Sequence, residues 1–475
     1  MSLNKLDELR NDIPKVDDNL ANIIYAKYNN KYNNKRISFF NIHKRLIFSI
    51  SSLLIIIVVS IVALLVNGID AKPEYEKVNL LYAAKDLEDA SFASEGYNEF
   101  MNKTQEFEYS ITESYCDNYN DSLSNIAISP ISIYMALAML AECSNEAARD
   151  EILTALGITY EDMLTHTEEL YENLNKIVKD RYDKVILNNS IWFNHNLNLN
   201  NDILKSLSNY YYCTSYNVDW YNNNRGANNA IRKYIKKQTN GLIDQDFNIA
   251  RETIFTVLNT LYLKTIWDSK ELDLTNEEYM FYNADGTISS KRFVKGQYVE
   301  GRIFEEEAYR HFFIKSNGKY CMKIIIPNDG YTLKQVFTSD NLNTINNISN
   351  YYGLDIENNT RYITRMIFPE FSANSNESLN EILENDFNIK EVFNAEKRPL
   401  NITDDYAACS DIKHVTNLNV DRMGIEGAAA TIFNAATSGP PMTTVTNDFV
   451  VDRAFGYMIT DNEGNLLFSG VVNKI

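Results

Sequence analysis

The 475-residue chain reads as an α+β fold preceded by one transmembrane helix. Stretches with apolar residues at helical spacing come early in the folded part, and β-branched and aromatic runs come late, so a regular βαβ alternation is not expected. One apolar run, Leu46 to Val66, carries no charge over 21 residues. A composition that is 45% hydrophobic with 12% aromatics supplies a sizeable core and excludes a disordered chain.

Residues 1–45 are polar with a weak helical pattern and read as a cytoplasmic tail. Residues 46–66, "LIFSISSLLIIIVVSIVALLV", rise about 1.5 Å each as a helix and span about 30 Å, the thickness of a bilayer core. Lys31, Lys35, Arg36, Lys44 and Arg45 crowd the N-terminal flank, whereas Asp70, Glu74 and Glu76 dilute Lys72 and Lys77 on the other side. The positive-inside rule then keeps the tail in the cytoplasm and the C-terminal domain outside the cell membrane, single-pass. A cleaved signal peptide fits less well, because its basic region would be some 45 residues long. Residues 67–94 read as a juxtamembrane spacer, and residues 95–475 as one domain.

The character changes near Tyr97. "ISIYMALAMLAECSNEAARDEILTALG" has helical spacing and ends on Gly157, a helix stop. "NNAIRKYIKKQTNGLI" repeats that pattern and stops at Asn240-Gly241. "TIFTVLNTLYLKTIW", "YCMKIIIP" and "RYITRMIFPEF" read as buried strands. "FVVDRAFGYMITDNEGNLLFSGVV" closes the chain as strands, the last two joined through Asn462-Glu463-Gly464.

Much chemistry is missing. No GxSxG, HExxH, GxGxxG or P-loop pattern occurs, and five His leave no nucleophile with a base, so an enzyme is not expected. Cys116, Cys143, Cys213, Cys321 and Cys409 are scattered, odd in number and never CxxC, which indicates neither a zinc site nor a complete disulfide set. No metal or cofactor is expected. A net charge of −19 argues against nucleic acid and for a soluble surface. His414, among strands, reads as a hydrogen-bonded core residue.

"GIEGAAATIFNAATSGPP", Gly424 to Pro441, lies between two stretches that read as strands yet has almost no bulk, so it cannot hold itself in place by packing. A plain linker would be richer in Gly, Ser and Pro than this Ala-Ala-Ala-Thr-Ile-Phe run. It is either a floppy linker or a strand in waiting.

Four further stretches give this segment a context. "NIAISPISIYMALAML", "VDWYNNNRGANNAIRKYIKKQTNGLI", "VLNTLYLKTIW" and the pair "VDRMGIEGAAAT" and "FVVDRAFGYMI" occur in one order across some 380 residues. Together they resemble the serpin family, in a membrane-anchored, bacterial-type form. The resemblance implies three β-sheets, eight or nine helices and an exposed reactive-centre loop. It also implies a suicide-substrate inhibitor, whose cleaved loop inserts into the largest sheet while carrying the acylated protease. The partner would be an extracellular serine protease, elastase-like or subtilisin-like, or a cysteine protease, met by a monomer. The alternative is a non-inhibitory serpin acting as a binding or chaperone-like module.

Mapped residue by residue, the hinge is Gly424, Ile425, Gly427, Ala428, Ala429, Ala430 and Thr431, all small or apolar enough to slide between strands. Counting from Gly424 puts the reactive bond at Ser438-Gly439, while counting back from Phe455 gives Thr443, with Met442 as a further choice. No Lys or Arg lies between Gly424 and Asp452, which disfavours a trypsin-like target. The shutter maps onto Ser129, Ser132, Asn259 and His414, with Asn259 expected to bond His414, and the breach onto Trp267. Thr265 stands where the family commonly has Gly, and Ile425 where Thr or Ser is usual. Arg422 and Glu370 occupy positions where the family places Glu and Lys, so an ion pair with swapped ends is expected between them.

Overall fold

The computed structural model describes residues 78–475 except 88–93, 120–122, 176–182, 196, 269–271, 297–298, 317–319, 349–352, 356–357, 406 and 426–442. The tail and apolar run at 1–66 lie outside the described residues. Among the described residues no helix is long and apolar enough to cross a membrane.

Helices dominate the first half. They are α1 (Tyr97–Tyr119), α2 (Pro130–Cys143), α3 (Glu146–Leu156), α4 (Tyr160–Leu174), α5 (Asn201–Tyr210) and α6 (Trp220–Gln238). The single helix expected through Gly157 is two. Ser144 closes the first and Asn145 caps the second, its Oδ1 accepting Ala148 N–H at 3.0 Å, and Gly157 stops the second with φ +69°. Asn240 and Gly241, at φ +52° and +88°, end the α6 region where the sequence places the stop. Three short helices follow later: α7 (Leu333–Val336), α8 (Ser339–Asn346) and α9 (Asn380–Asn385). Nine α-helices are thus seen among the described residues.

Strands form three sheets. The main one has seven, in the order β1 (Asn79–Tyr82), β4 (Cys213–Val218), β3 (Lys184–Asn194), β5 (Phe255–Ile266), β16 (Gly424–Ile425), β15 (Lys413–Val420) and β14 (Phe371–Ser378). A second sheet runs β2 (Ile126–Ile128), β19 (Leu466–Val472), β18 (Phe455–Asp461), β11 (Tyr320–Pro327), β10 (Tyr309–Lys315) and β9 (Phe304–Glu305). The third runs β12 (Leu354–Asp355), β13 (Thr360–Phe368), β7 (Ile288–Lys295) and β6 (Asp273–Tyr282), with β8 (Val299–Glu300) and β17 (Thr443–Val450) also on β13.

The main sheet is covered on both faces. One packs on the large core with α2, the other on a smaller cluster of Trp192, Trp220, Ile231 and Leu258 beneath α6. That explains why β5 reads as a nearly continuous apolar run and not as an alternation. β1 falls inside the stretch that reads as a spacer. It pairs antiparallel with β4 through Asn79, Leu80 and Tyr82, with a bulge at Leu81, and forms the outer edge of the main sheet.

Candidate functional site

The site is a seam in the main sheet. β16 is only Gly424 and Ile425, wedged between β5 and β15: Gly424 pairs with Ile266, and Ile425 with Thr265 on one side and Val420 on the other. Among the described residues, β5 and β15 make no pairing with each other below it. A Cβ on Gly424 would lie 2.0 Å from the Thr265 carbonyl oxygen, so only glycine fits this close approach. Ile425 is 1% exposed, so its apolar side chain suits the buried face that it occupies.

The turn into β16 is clamped. Asp421 Oδ1 accepts the N–H groups of Met423 at 2.7 Å and Gly424 at 3.1 Å, and the Asp421 N–H reaches Gly424 O at 3.0 Å. Trp267, the expected breach residue, donates its indole N–H to Asp421 O at 2.8 Å and its backbone N–H to Met423 O at 3.2 Å. Thr265 donates its hydroxyl to the buried Asp183, which gives that departure from the family pattern a structural role.

The expected Arg422 and Glu370 ion pair is corrected here. Glu370 Oε1 accepts the backbone N–H of Arg422 at 3.2 Å, while the guanidinium lies 4.0 Å from Asp273. The carboxylate is used on the peptide N–H, which any residue but proline supplies at 422.

Lower in the seam the shutter residues divide between its two banks. Ser129 donates its backbone N–H to His414 Nε2 at 3.0 Å, and its hydroxyl bonds Ser132 at 2.9 Å. An acceptor Nε2 carries no proton, and burial holds the His414 ring neutral by pushing its pKa down to about 3. The expected bond from Asn259 to His414 is not made. Asn259 Nδ2 donates to Asn189 Oδ1 at 2.6 Å, and Asn189 Nδ2 donates to Tyr211 O at 2.7 Å. Asn189 sits directly opposite Asn259 in the unbroken β3–β5 pairing, whereas the seam lies between Asn259 and β15. Asn259 Oδ1 is buried with no partner among the described residues.

The pairing also sets levels across the seam. With Thr265 and Val420 both opposite Ile425, a step of six residues down each strand brings Asn259 level with His414. Along β15, His414, Thr416, Leu418 and Val420 are buried, and the residues between them are half-buried. Ile425, opposite Val420, therefore belongs to the core-facing parity.

The remaining hinge residues Gly427, Ala428, Ala429, Ala430 and Thr431, the bond Ser438-Gly439 and Met442 lie outside the described residues. Thr443 begins β17, its N–H donating to Asn359 O at 3.0 Å and its backbone paired with Thr360. Sequence reasoning missed Asp421 and Asn189. Asp three residues before a Gly is an Asx-turn signal that was there to find, whereas nothing in the chain ties Asn189 to a residue 70 positions on.

A family profile described as Serpin (serine protease inhibitor) matches residues 102–475. The chain belongs to the serpin family. This serpin is 25% identical over 370 residues to Serpin-Z10 of Arabidopsis thaliana, covering 74% of this chain and 91% of that one. It is 24% identical over 360 residues to the corticosteroid-binding globulin of Ovis aries, covering 74% and 80%. Its fold matches the native state of the thermophilic serpin tengpin with a TM-score of 0.68 at 22% identity, covering 84% of this chain and all of that one. Serpins are mostly protease inhibitors, and some members, as the globulin's name says, are binding proteins.

Proposed function

We propose that this serpin is a suicide-substrate inhibitor of extracellular serine proteases, with elastase-like or subtilisin-like enzymes preferred and cysteine proteases as a further class. The observation that carries the reading is the seam. Gly424 and Ile425 occupy the first two places of a strand between β5 and β15, and among the described residues β5 and β15 make no pairing below them. A loop freed by cleavage at its far end would continue in the same antiparallel direction and complete the sheet, gaining ladder bonds on both sides. An acyl-enzyme formed at Ser438 would be carried along before water releases it.

Ser438-Gly439 is the reading of the cleaved bond, and Met442 the next. Thr443 is disfavoured because its backbone already pairs in β17, which a protease cleft would have to strip away. The small residues Ala435, Ala436, Thr437 and Ser438 suit a shallow specificity pocket. Residues 46–66 would anchor the protein in the cell membrane with residues 1–45 inside and the domain outside, supported by the uncharged run and its basic flank.

Mixing the full-length protein with a pancreatic-type elastase tests the function. A complex that survives SDS, with a mass equal to protease plus the clipped serpin, is expected. Cleavage near Ser438 with no complex would overturn inhibition and leave the binding-module alternative.

A further inference from the structure

One cavity borders the hinge turn without being part of the seam. It holds about 420 Å³, the size of a small-ligand pocket, and lies where the ends of β14 and β15 meet β7 and the C-terminal residues. Phe371 stands opposite Val420 here, and Asp421 is the next residue into the turn. The walls are fixed by hydrogen bonds. Asn125 Nδ2 donates to Ser372 O at 3.0 Å and to Lys474 O at 2.8 Å, while its Oδ1 accepts Asn473 N–H at 2.8 Å and Lys474 N–H at 3.0 Å. Ser372 Oγ donates to Asn419 Oδ1 at 2.7 Å, which ties the two strands together beside the cavity.

Charges of both signs line this cavity, and they do not meet across it. Glu370 uses Oε1 on the Arg422 N–H, and Asp421 uses Oδ1 on the N–H groups of Met423 and Gly424. Each carboxylate is thus oriented by the backbone, and each keeps its other oxygen without a partner among the described residues. The Lys291 ammonium, carried by β7, has no partner among the described residues either. Lys474 is already paired, its Nζ lying 3.1 Å from Asp285. A simple cation would be repelled by Lys291, and a simple anion by Glu370 and Asp421. A molecule with one charge of each sign satisfies both sides: an ammonium has donors enough for two carboxylate oxygens, and a carboxylate accepts from the lysine.

We propose that this cavity binds a small zwitterion of dipeptide size, with its ammonium between Glu370 and Asp421 and its carboxylate on Lys291. The same two carboxylates hold the turn through Arg422, Met423 and Gly424. An occupied cavity therefore braces that turn, and with it the place of Gly424 and Ile425 in the main sheet. Binding is independent of the inhibitory reading, since neither a protease nor the residues beyond Ile425 take part in it.

Titration calorimetry of the full-length protein with L-alanyl-L-alanine tests the site. Saturable one-to-one binding is expected, with N-acetyl-alanyl-alanine and alanyl-alanine amide each severalfold weaker because each lacks one charge. Lys291→Ala, at an exposed position, should abolish the preference for the free carboxylate and keep that for the free ammonium. Glu370→Gln, which retains an oxygen for the Arg422 N–H, should do the reverse. Hydrogen exchange read by mass spectrometry should be severalfold slower at the Met423 and Gly424 amides when the dipeptide is bound. No saturable binding, equal binding of the three compounds, or preferences that survive in both variants would overturn the site. Selective binding with unchanged exchange at 423 and 424 would overturn the bracing of the hinge. Neither readout uses a protease, so a missing elastase complex counts against the function proposed above and not against this site.

Discussion

Arginine substitution along the hinge tests insertion residue by residue, because the register at Ile425 dictates where each following residue would arrive. Stepping down antiparallel from the Thr265 and Val420 row, residue 429 comes level with Leu261 and Thr416, each 6% exposed. It shares the core-facing parity of Ile425. Residue 428 comes level with Tyr262, itself 2% exposed, and with Asn417, which is half-buried, bonds Leu242 O and leaves a way to solvent on the other face. Desolvating an arginine among core residues costs several kcal/mol even after relaxation. A cost of ~4 kcal/mol on the insertion step slows it about a thousandfold, at ~1.4 kcal/mol per decade. Ala429→Arg should therefore lose the race against deacylation and behave as a substrate. Ala428→Arg should still trap protease, since its long stem can carry the charge to solvent. Ala430→Arg, level with Val415 against the cluster beneath α6, should fall between the two. Stoichiometry of inhibition, read by intact mass and SDS-resistant complex, gives the partition ratio for each. If Ala428→Arg fails and Ala429→Arg traps, the register is displaced by one residue. If all three trap as the parent does, the loop does not insert here and the inhibitory mechanism is wrong.

Burial holds His414 neutral with a pKa of about 3, well below its ordinary ~6.5, so folding stability should fall as pH drops from 6.5 towards 3 while the unfolded chain takes up the proton. The steepest contribution is about 1.4 kcal/mol per pH unit; His414→Gln should flatten it in urea midpoints measured across that range. Asp461 works in the opposite sense: burial raises its pKa to about 6, so it adds stability as pH falls from 6 towards 4, and Asp461→Asn should remove that rise. Asn259→Leu takes the donor from Asn189 Oδ1 and should lower stability by about 1–3 kcal/mol, with loop-sheet polymers appearing on mild heating; an unchanged unfolding temperature would show that the amide pair carries no load. Because Glu370 holds the peptide N–H of Arg422, Glu370→Lys combined with Arg422→Glu should show additive losses, and a coupling above about 0.5 kcal/mol would restore the side-chain ion pair.

Much of the fold is legible where structure is local. β11 coincides with "YCMKIIIP", the hairpin turns at Gly464 with φ +86°, and Gly157 and Gly241 stop helices in the left-handed region that glycine favours. The lack of bulk from Gly424 onward is equally plain in the chain, and it is what the proposed insertion between two strands requires. The break at Asn145 was hidden by good helical spacing on both sides of it, and only its cap with Ala148 decides the matter. β1 was hidden for another reason. Four residues are too short to show a pattern of their own, and they make a strand only because the edge of β4 offers them hydrogen-bond partners.

Residue types and order by themselves determined that the chain is a serpin, that the stretch from Gly424 lacks bulk, and that a polar residue such as Asn259 within an apolar strand must find a partner. Which atoms pair was decided by the tertiary structure alone. Opposite charges at 422 and 370 announce proximity, yet the carboxylate goes to a peptide N–H; an amide mid-strand announces a partner, yet Asn189 and not His414 supplies it. A hydrogen bond holds over about 3 Å and a narrow range of angle, so its assignment waits on the register and on which strands are parted. That parting, with Gly424 and Ile425 the described residues between β5 and β15, exists only between strands whose level residues, such as Thr265 and Val420, lie far apart in the chain, where no local pattern reaches.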